Sequence, residues 1–165
     1  MANFELAQLN IARMVAPADS PILKDFVANL DRINSLAEQT PGYVWRLQTD
    51  EGYATAVRLY GDDVIVNLSM WKDVESLFNF VYQSGHIDIM RRRKEWFERL
   101  RDAYMVLWWV PAGHRPTVAE ANAKLEHLHA TGPSPDAFTF KRPFAPPGAT
   151  AAAQQPGFDD TCPAN

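Results

Sequence analysis

The order in which strand-like and helix-like patterns follow one another narrows this fold more than any single motif. Residues 4–11, 43–47, 64–71 and 104–110 are short, rich in Val, Ile, Leu and aromatic residues, and bounded by turn-forming residues, as strands are. After the first, Ser20 stands as an N-cap with Pro21 at the first helical position, and Ile22, Phe26, Leu30, Ile33 and Leu36 recur at helical spacing. After the third, Asp73 caps a helix carrying Val74, Leu77, Phe78 and Val81. "QSGH" interrupts it, and a second helical piece is expected from about residue 87 to residue 100. The segment between the second and third strands, "QTDEGYATAVRLYGDD", is polar and glycine-marked and reads as a loop with a little strand. The order is β-α-β-β-α-β. Thr117 then caps a further helix with Val118, Ala121, Leu125 and Leu128 on one stripe, ended by Gly132 and Pro133, and "AFTF" adds a short edge strand.

That order is the split β-α-β plan of a ferredoxin-like fold: an α+β subunit with a four-stranded antiparallel sheet, both helices on one face, here with an extra C-terminal helix. At 165 residues the chain suffices for one domain with a proper core. Residues 1–144 are assigned to that domain. Residues 145–165, "APPGATAAAQQPGFDDTCPAN", hold few large apolar side chains and cannot bury enough surface to offset ordering, so they read as a flexible tail or an arm on a partner subunit. A sheet bare on one face is usually covered by a second copy, so a homodimer sealed sheet to sheet is expected.

A formal net charge of −4 argues against a nucleic-acid footprint and against an anionic membrane surface. The only basic run, Arg91 to Lys94, is flanked by Asp88, Glu95 and Glu98 and reads as a solvated helix face. One cysteine, Cys162, excludes an intrachain disulfide and any Cys-based metal cluster. The first ten residues lack the charged and apolar regions of a secretory signal, and no apolar run approaches the length of a membrane span. A cytoplasmic protein is expected.

The third strand, "VIVNLSMW", poses a question, because an Asn and a Ser sit two apart in an otherwise apolar run. Strand side chains alternate between faces, so Val64, Val66, Leu68 and Met70 form one set and Ile65, Asn67, Ser69 and Trp71 the other. The first strand divides into Ala7, Leu9 and Ile11 against Phe4, Leu6, Gln8 and Asn10. The apolar sets are assigned beneath the helices and the mixed sets away from them. The two strands are central neighbours in this plan, which gathers Gln8, Asn10, Asn67 and Ser69 into one cluster. Trp45 and Trp108 are expected to frame it. Amides and a hydroxyl among tryptophans suit a small-molecule pocket, or polar groups that satisfy one another at a subunit interface; both readings stand.

A second constellation lies in "SGHIDIMRRRKEWF". His86, Met90, Arg93 and Phe97 fall on one helical stripe. His86 suits proton transfer or metal ligation near neutral pH, although a histidine at a helix start also has a purely structural use. Arg93 can grip a carboxylate or phosphate, or pair with Asp88 or Glu95. His114 orders a turn, and His127 and His129 do not have the spacing of a metal pair. Gly-rich phosphate loops, G-x-S-x-G and H-E-x-x-H are all missing, and no metal is expected.

The blocks "LAQLNIAR", "GYVWRLQ", "IVNLSMW", "FVYQSGHIDIMRRRKEWF", "VLWWVPAGHRPTVAEA" and "AFTF" together resemble the domain-of-unknown-function family DUF3291 over roughly residues 3–144. That family is similar to the dimeric α+β barrel superfamily of antibiotic-biosynthesis monooxygenases, haem-degrading enzymes, chlorite dismutases and aldoxime dehydratases. The resemblance implies a ferredoxin-like subunit closing on a second copy, and no single chemistry. It also implies a site between the sheet and the long helices, where this chain offers Asn10, Trp45, Asn67, Trp71, His86 and Trp108. The expected function is a monooxygenase-like enzyme acting on an aromatic or unsaturated molecule, with no cofactor required. Asn10 and Asn67 would stabilise an oxyanion, His86 would move a proton, and Gln8, Ser69 and Arg93 would help bind substrate. The alternatives are haem bound through His86, and a non-catalytic ligand-binding or structural dimer.

Overall fold

Strand β1, Phe4–Arg13, lies inside a four-stranded antiparallel sheet of order β2-β3-β1-β4 in the computed structural model, which describes residues 3–100 and 102–150. The remaining elements are a 3-10 turn Pro21–Leu23, α1 Lys24–Gln39, β2 Tyr43–Arg46, α2 Asp50–Tyr60, β3 Val64–Trp71, α3 Val74–Gln83, α4 His86–Arg91, α5 Arg93–Trp96, β4 Met105–Pro111 and α6 Val118–Thr131. The architecture is α+β and ferredoxin-like. Register follows from the pairing of β1 with both neighbours: Leu6 faces Trp71 and Trp109, Gln8 faces Ser69 and Leu107, and Asn10 faces Asn67 and Met105.

Asp73 and Thr117 cap α-helices as expected, whereas Ser20 caps the 3-10 turn Pro21–Leu23 that leads into α1. Ser20 Oγ accepts from the Ile22 N–H at 3.4 Å, Asp73 Oδ1 from Ser76 at 2.8 Å, and Thr117 Oγ1 from Glu120 at 3.1 Å. Each occupies one of the amide donors that a helix N-terminus leaves without an intrahelical partner. Gly132, at φ 75°, ends α6 in a conformation that favours glycine. Phe138 bridges to Leu107 at the β4 edge, so "AFTF" supplies a single bridge there.

Two helical expectations are corrected. Residues 50–60, expected as a loop, form α2, capped by Thr49, whose Oγ1 accepts from the Gly52 N–H at 3.1 Å. The second piece after "QSGH" breaks at Arg92 and ends at Trp96, because the chain is drawn into pairing with the end of β1. Phe97 bridges to Met14, and the Glu98 N–H donates to the Arg13 carbonyl at 2.9 Å. His86, Met90, Arg93 and Phe97 therefore do not share one continuous helical stripe.

The assignment of faces is corrected as well. The apolar set of Ala7, Leu9, Leu68, Met70, Val106 and Trp108 packs with Ala56 of α2 and with Val118, Ala121, Leu125 and Leu128 of α6. The mixed set does not face away from the helices. Leu6, Trp71 and Leu107 pack beneath Ala37 of α1, Val74, Leu77 and Phe80 of α3, and the segment carrying Phe138 and Phe140. Leu6 is 0% and Trp71 1% exposed within the single chain. A third cluster of Met14, Leu23 and Trp96, with Phe26, Ile65 and Ile89, closes the end of this layer where β1 finishes. Both faces are thus filled by the chain's own helices, and the bare face that motivated a sheet-to-sheet dimer does not exist. Among the described residues no helix is long and apolar enough to cross a membrane.

Candidate functional site

The antiparallel register of β1 and β3 puts Gln8 opposite Ser69 and Asn10 opposite Asn67 on one face, with paired Cβ atoms about 5 Å apart. Gln8 and Ser69 are each 5% exposed. Their burial is compensated by a shared network: Gln8 Nε2 donates to Asn67 Oδ1 at 3.2 Å and to Ser69 Oγ at 3.0 Å, and Trp71 Nε1 donates to the same Oγ at 2.9 Å. One step along β3, burial stops. Asn67 is exposed while Leu68 to Trp71 are buried, and Asn10 is half-buried. Among the described residues, neither the Asn67 Nδ2 nor any atom of the Asn10 amide has a hydrogen-bond partner. The site is a hydrogen-bonded floor that opens onto the Asn10 amide and the free Nδ2 of Asn67.

An aromatic wall rises from the floor. The Trp71 ring stacks on Phe80 with centroids 5.2 Å apart and meets Tyr43 edge-on at 5.6 Å. Phe80 in turn lies 4.8 Å from the His86 ring. His86 Nδ1 is 3.2 Å from the Val81 carbonyl, and the His86 backbone N–H donates to Ser84 Oγ at 3.2 Å. A carbonyl only accepts, so this contact selects the tautomer with hydrogen on Nδ1 and leaves Nε2 as a lone pair. Burial lowers the His86 pKa below its usual 6.5, which outweighs the opposing effect of the Val81 carbonyl and keeps the ring neutral at neutral pH.

The remaining expected residues fall elsewhere. Trp45 faces Met70 and Trp108 faces Ala7, so both lie on the opposite, apolar side of the sheet. There Trp108 Nε1 reaches Glu120 at 3.4 Å and the Arg115 guanidinium covers the Trp45 ring at 5.8 Å. An irregularity in β2 between Tyr43 and Trp45 shifts the register. In "LWWV" the adjacent tryptophans necessarily point to opposite faces. Tyr43 and Trp109 occupy the mixed face instead, with Trp109 Nε1 donating to the Phe144 carbonyl at 2.7 Å. Arg93 is engaged by Tyr104, donating to its hydroxyl at 2.7 Å with the guanidinium 4.5 Å over the ring. Asp88 and Glu95 pair with Arg91 and Arg92. Sequence reasoning missed Phe80 and Arg46. Arg46 faces Ser69 and pairs with Glu38 at 2.9 Å; the irregularity between Tyr43 and Trp45 puts it on the face of Tyr43, against strand parity, and left no sequence signal for it.

Among the described residues no three His, Cys, Asp or Glu side chains cluster as a metal site. A separate surface hollow of about 410 Å³, lined by Asn3, Phe4, Glu5, Val44, Lys72, Asp73 and Ala112, shares none of the site residues.

The family described as a domain of unknown function, DUF3291, matches residues 5–155. The chain belongs to the DUF3291 family. No curated protein matches this DUF3291 chain. Among solved structures, SnoaB, a cofactor-independent oxygenase from Streptomyces nogalater, is similar at a TM-score of 0.41 and 15% identity, over 69% of this chain and 97% of that one. A likeness that distant carries no weight for chemistry, so the DUF3291 site is read from its own residues.

Proposed function

We propose that this chain is a small-molecule enzyme of the antibiotic-biosynthesis-monooxygenase-like type, acting on an aromatic or unsaturated molecule whose oxygen becomes anionic. The observation that carries the reading is the unpartnered Asn10 amide and the unpartnered Nδ2 of Asn67, beside the buried Gln8–Ser69–Trp71 network. A buried network of this kind holds its members in place, and preorganised donors stabilise charge as it develops on a substrate oxygen. Asn67 Nδ2 and the Asn10 amide are the donors in this reading. Trp71 and Phe80, 1% and 6% exposed, pack in the interior beside this network and hold it in place. His86 Nε2, neutral and unprotonated, is the group assigned to take the proton in this reading.

In the oxygenase version the substrate supplies the electrons and dioxygen is the co-reactant. A ring methylene becomes a carbonyl; one oxygen atom enters the product, and the other leaves as water with the two hydrogens removed from carbon. Oxygen uptake with a panel of aromatic polyphenols tests this directly, and Asn67→Ala should abolish the uptake. Saturable binding without oxygen uptake would favour the non-catalytic ligand-binding reading.

One observation favours haem as a second reading. A histidine whose Nδ1 is held by a backbone carbonyl presents Nε2 in the orientation that metal-binding histidines use. His86 Nε2 would hold the iron, and the group would supply redox chemistry there. Hemin titration should then give a saturable, narrow Soret band that His86→Ala removes; an unchanged band in that variant assigns the binding to non-specific contact. The homodimer is kept as a proposal, without the bare sheet face that first suggested it. A monomer in sedimentation equilibrium would remove the dimer and leave the pocket reading intact.

A further inference from the structure

Gln8 was expected to touch substrate. It is 5% exposed, and both hydrogens of its Nε2 are committed, one to Asn67 Oδ1 and one to Ser69 Oγ. A direct ligand contact is therefore a poor use for it. The indole of Trp71 can only donate, and it also donates to Ser69 Oγ. Both lone pairs of that hydroxyl are then filled. Asn67 is fixed in the same way from one side: its carbonyl oxygen is held by Gln8, and because an amide turns as a unit, the Nδ2 hydrogens must point away from Gln8. An unconstrained surface asparagine offers a ligand either its oxygen or its nitrogen.

We propose that Gln8 is the positioning residue that makes Asn67 a donor toward the open side of the site. The site thereby prefers a ligand presenting a bare, electron-rich oxygen (a phenolate, enolate or carbonyl) to the same ligand presenting O–H. The ligand half of this inference rests on the small-molecule reading above; the polarity half rests on the network alone. The competing arrangement has the Gln8 amide reversed. Oε1 would then accept from the Ser69 hydroxyl and from Asn67 Nδ2, and Asn67 would turn its oxygen outward. The two arrangements demand opposite ligands.

Solvent exchange of side-chain amide protons in the ¹⁵N-labelled protein separates them without any ligand. The Gln8 amide protons should exchange about tenfold or more slowly than those of Asn67. Equal rates, or protection on Asn67 instead, would overturn the polarity. The ligand half is read with 4-nitrophenol, whose anion absorbs in the visible. Wild-type protein should bind the anion in preference and shift the probe's ionisation to lower pH. Ionised Gln8→Glu offers Ser69 and Asn67 only acceptors and turns the Asn67 oxygen outward. It should weaken anion binding by about tenfold or more, while binding of the neutral phenol holds. An anion preference that survives in Gln8→Glu would overturn the positioning role. If neither form of 4-nitrophenol binds wild-type protein, the ligand preference falls together with the aromatic-substrate reading, and the exchange ratio still decides what Gln8 does.

Discussion

Ser69 is buried and accepts two hydrogen bonds, whereas Asn67 is exposed and accepts one, so their removal should have different consequences. Ser69→Ala strands the Trp71 indole N–H and one Gln8 N–H in a dry environment and should cost about 1–3 kcal/mol. Asn67→Ala leaves Gln8 its bond to Ser69 and opens the freed N–H to water, so its cost should stay below about 1 kcal/mol while ligand affinity falls. Urea denaturation of both variants checks the contrast; a larger loss for Asn67→Ala would make Asn67 a structural residue. His86 sets an acid limit. Burial lowers its pKa in the folded state below the ordinary 6.5, so the unfolded chain binds the proton first. The contribution is complete above pH 6.5 and is lost as pH falls toward the lowered native value. His86→Leu should flatten that part of the stability–pH curve. The amide cluster was legible in the sequence because a period of two fixes which residues share a face. The places of Trp45 and Trp108 were not, because both faces here are apolar enough to accept a tryptophan.

The helix starts at Ser20, Asp73 and Thr117 were also legible, since each cap acts on amides two or three residues away. Helix α2 was not. Its sequence "DEGYATAVRLY" has a glycine near its start, and its buried Ala56 gains its meaning only against a sheet formed by distant strands. Tertiary packing supplies what local preference lacks. A specific tie reinforces it: Tyr60 O–H donates to Asn122 Oδ1 of α6 at 2.5 Å. Burial first, then the charge of Glu126, raises the Tyr60 pKa to about 12, so the phenol stays protonated and the donor persists. Tyr60→Phe keeps the ring and removes this bond, and should lower the unfolding free energy by about 1 kcal/mol without changing the denaturant slope. Because Tyr60 packs on the opposite side of the sheet from Gln8 and Asn67, 4-nitrophenol affinity should not change. A changed affinity would mean that α2 influences the site through the sheet.

At the scale of the whole molecule, the strand order could be read from the sequence, but the coverage of the sheet could not. Counting only two helices under the sheet left the mixed face bare; α1 and α3 cover it, and α2 and α6 cover the apolar face. The boundary of the folded unit is the remaining issue, and Phe144 marks it. Its ring lies 5.8 Å from Phe138, its carbonyl accepts the Trp109 indole N–H at 2.7 Å, and Arg142 lies 5.8 Å over its ring. Residues 147–150 are exposed, and the rest of the expected tail, 151–165, lies outside the described residues. A chain ending after Ala149 should therefore keep its Tm. A chain ending after Arg142 loses the Phe144 ring and leaves the Trp109 N–H without its acceptor, a loss of about 2 kcal/mol. For a protein of this size that corresponds to a fall of about 4–8 °C in thermal denaturation. A comparable fall in the chain ending after Ala149 would show that residues beyond it dock on the domain, and would move the boundary toward residue 155, where the family match ends.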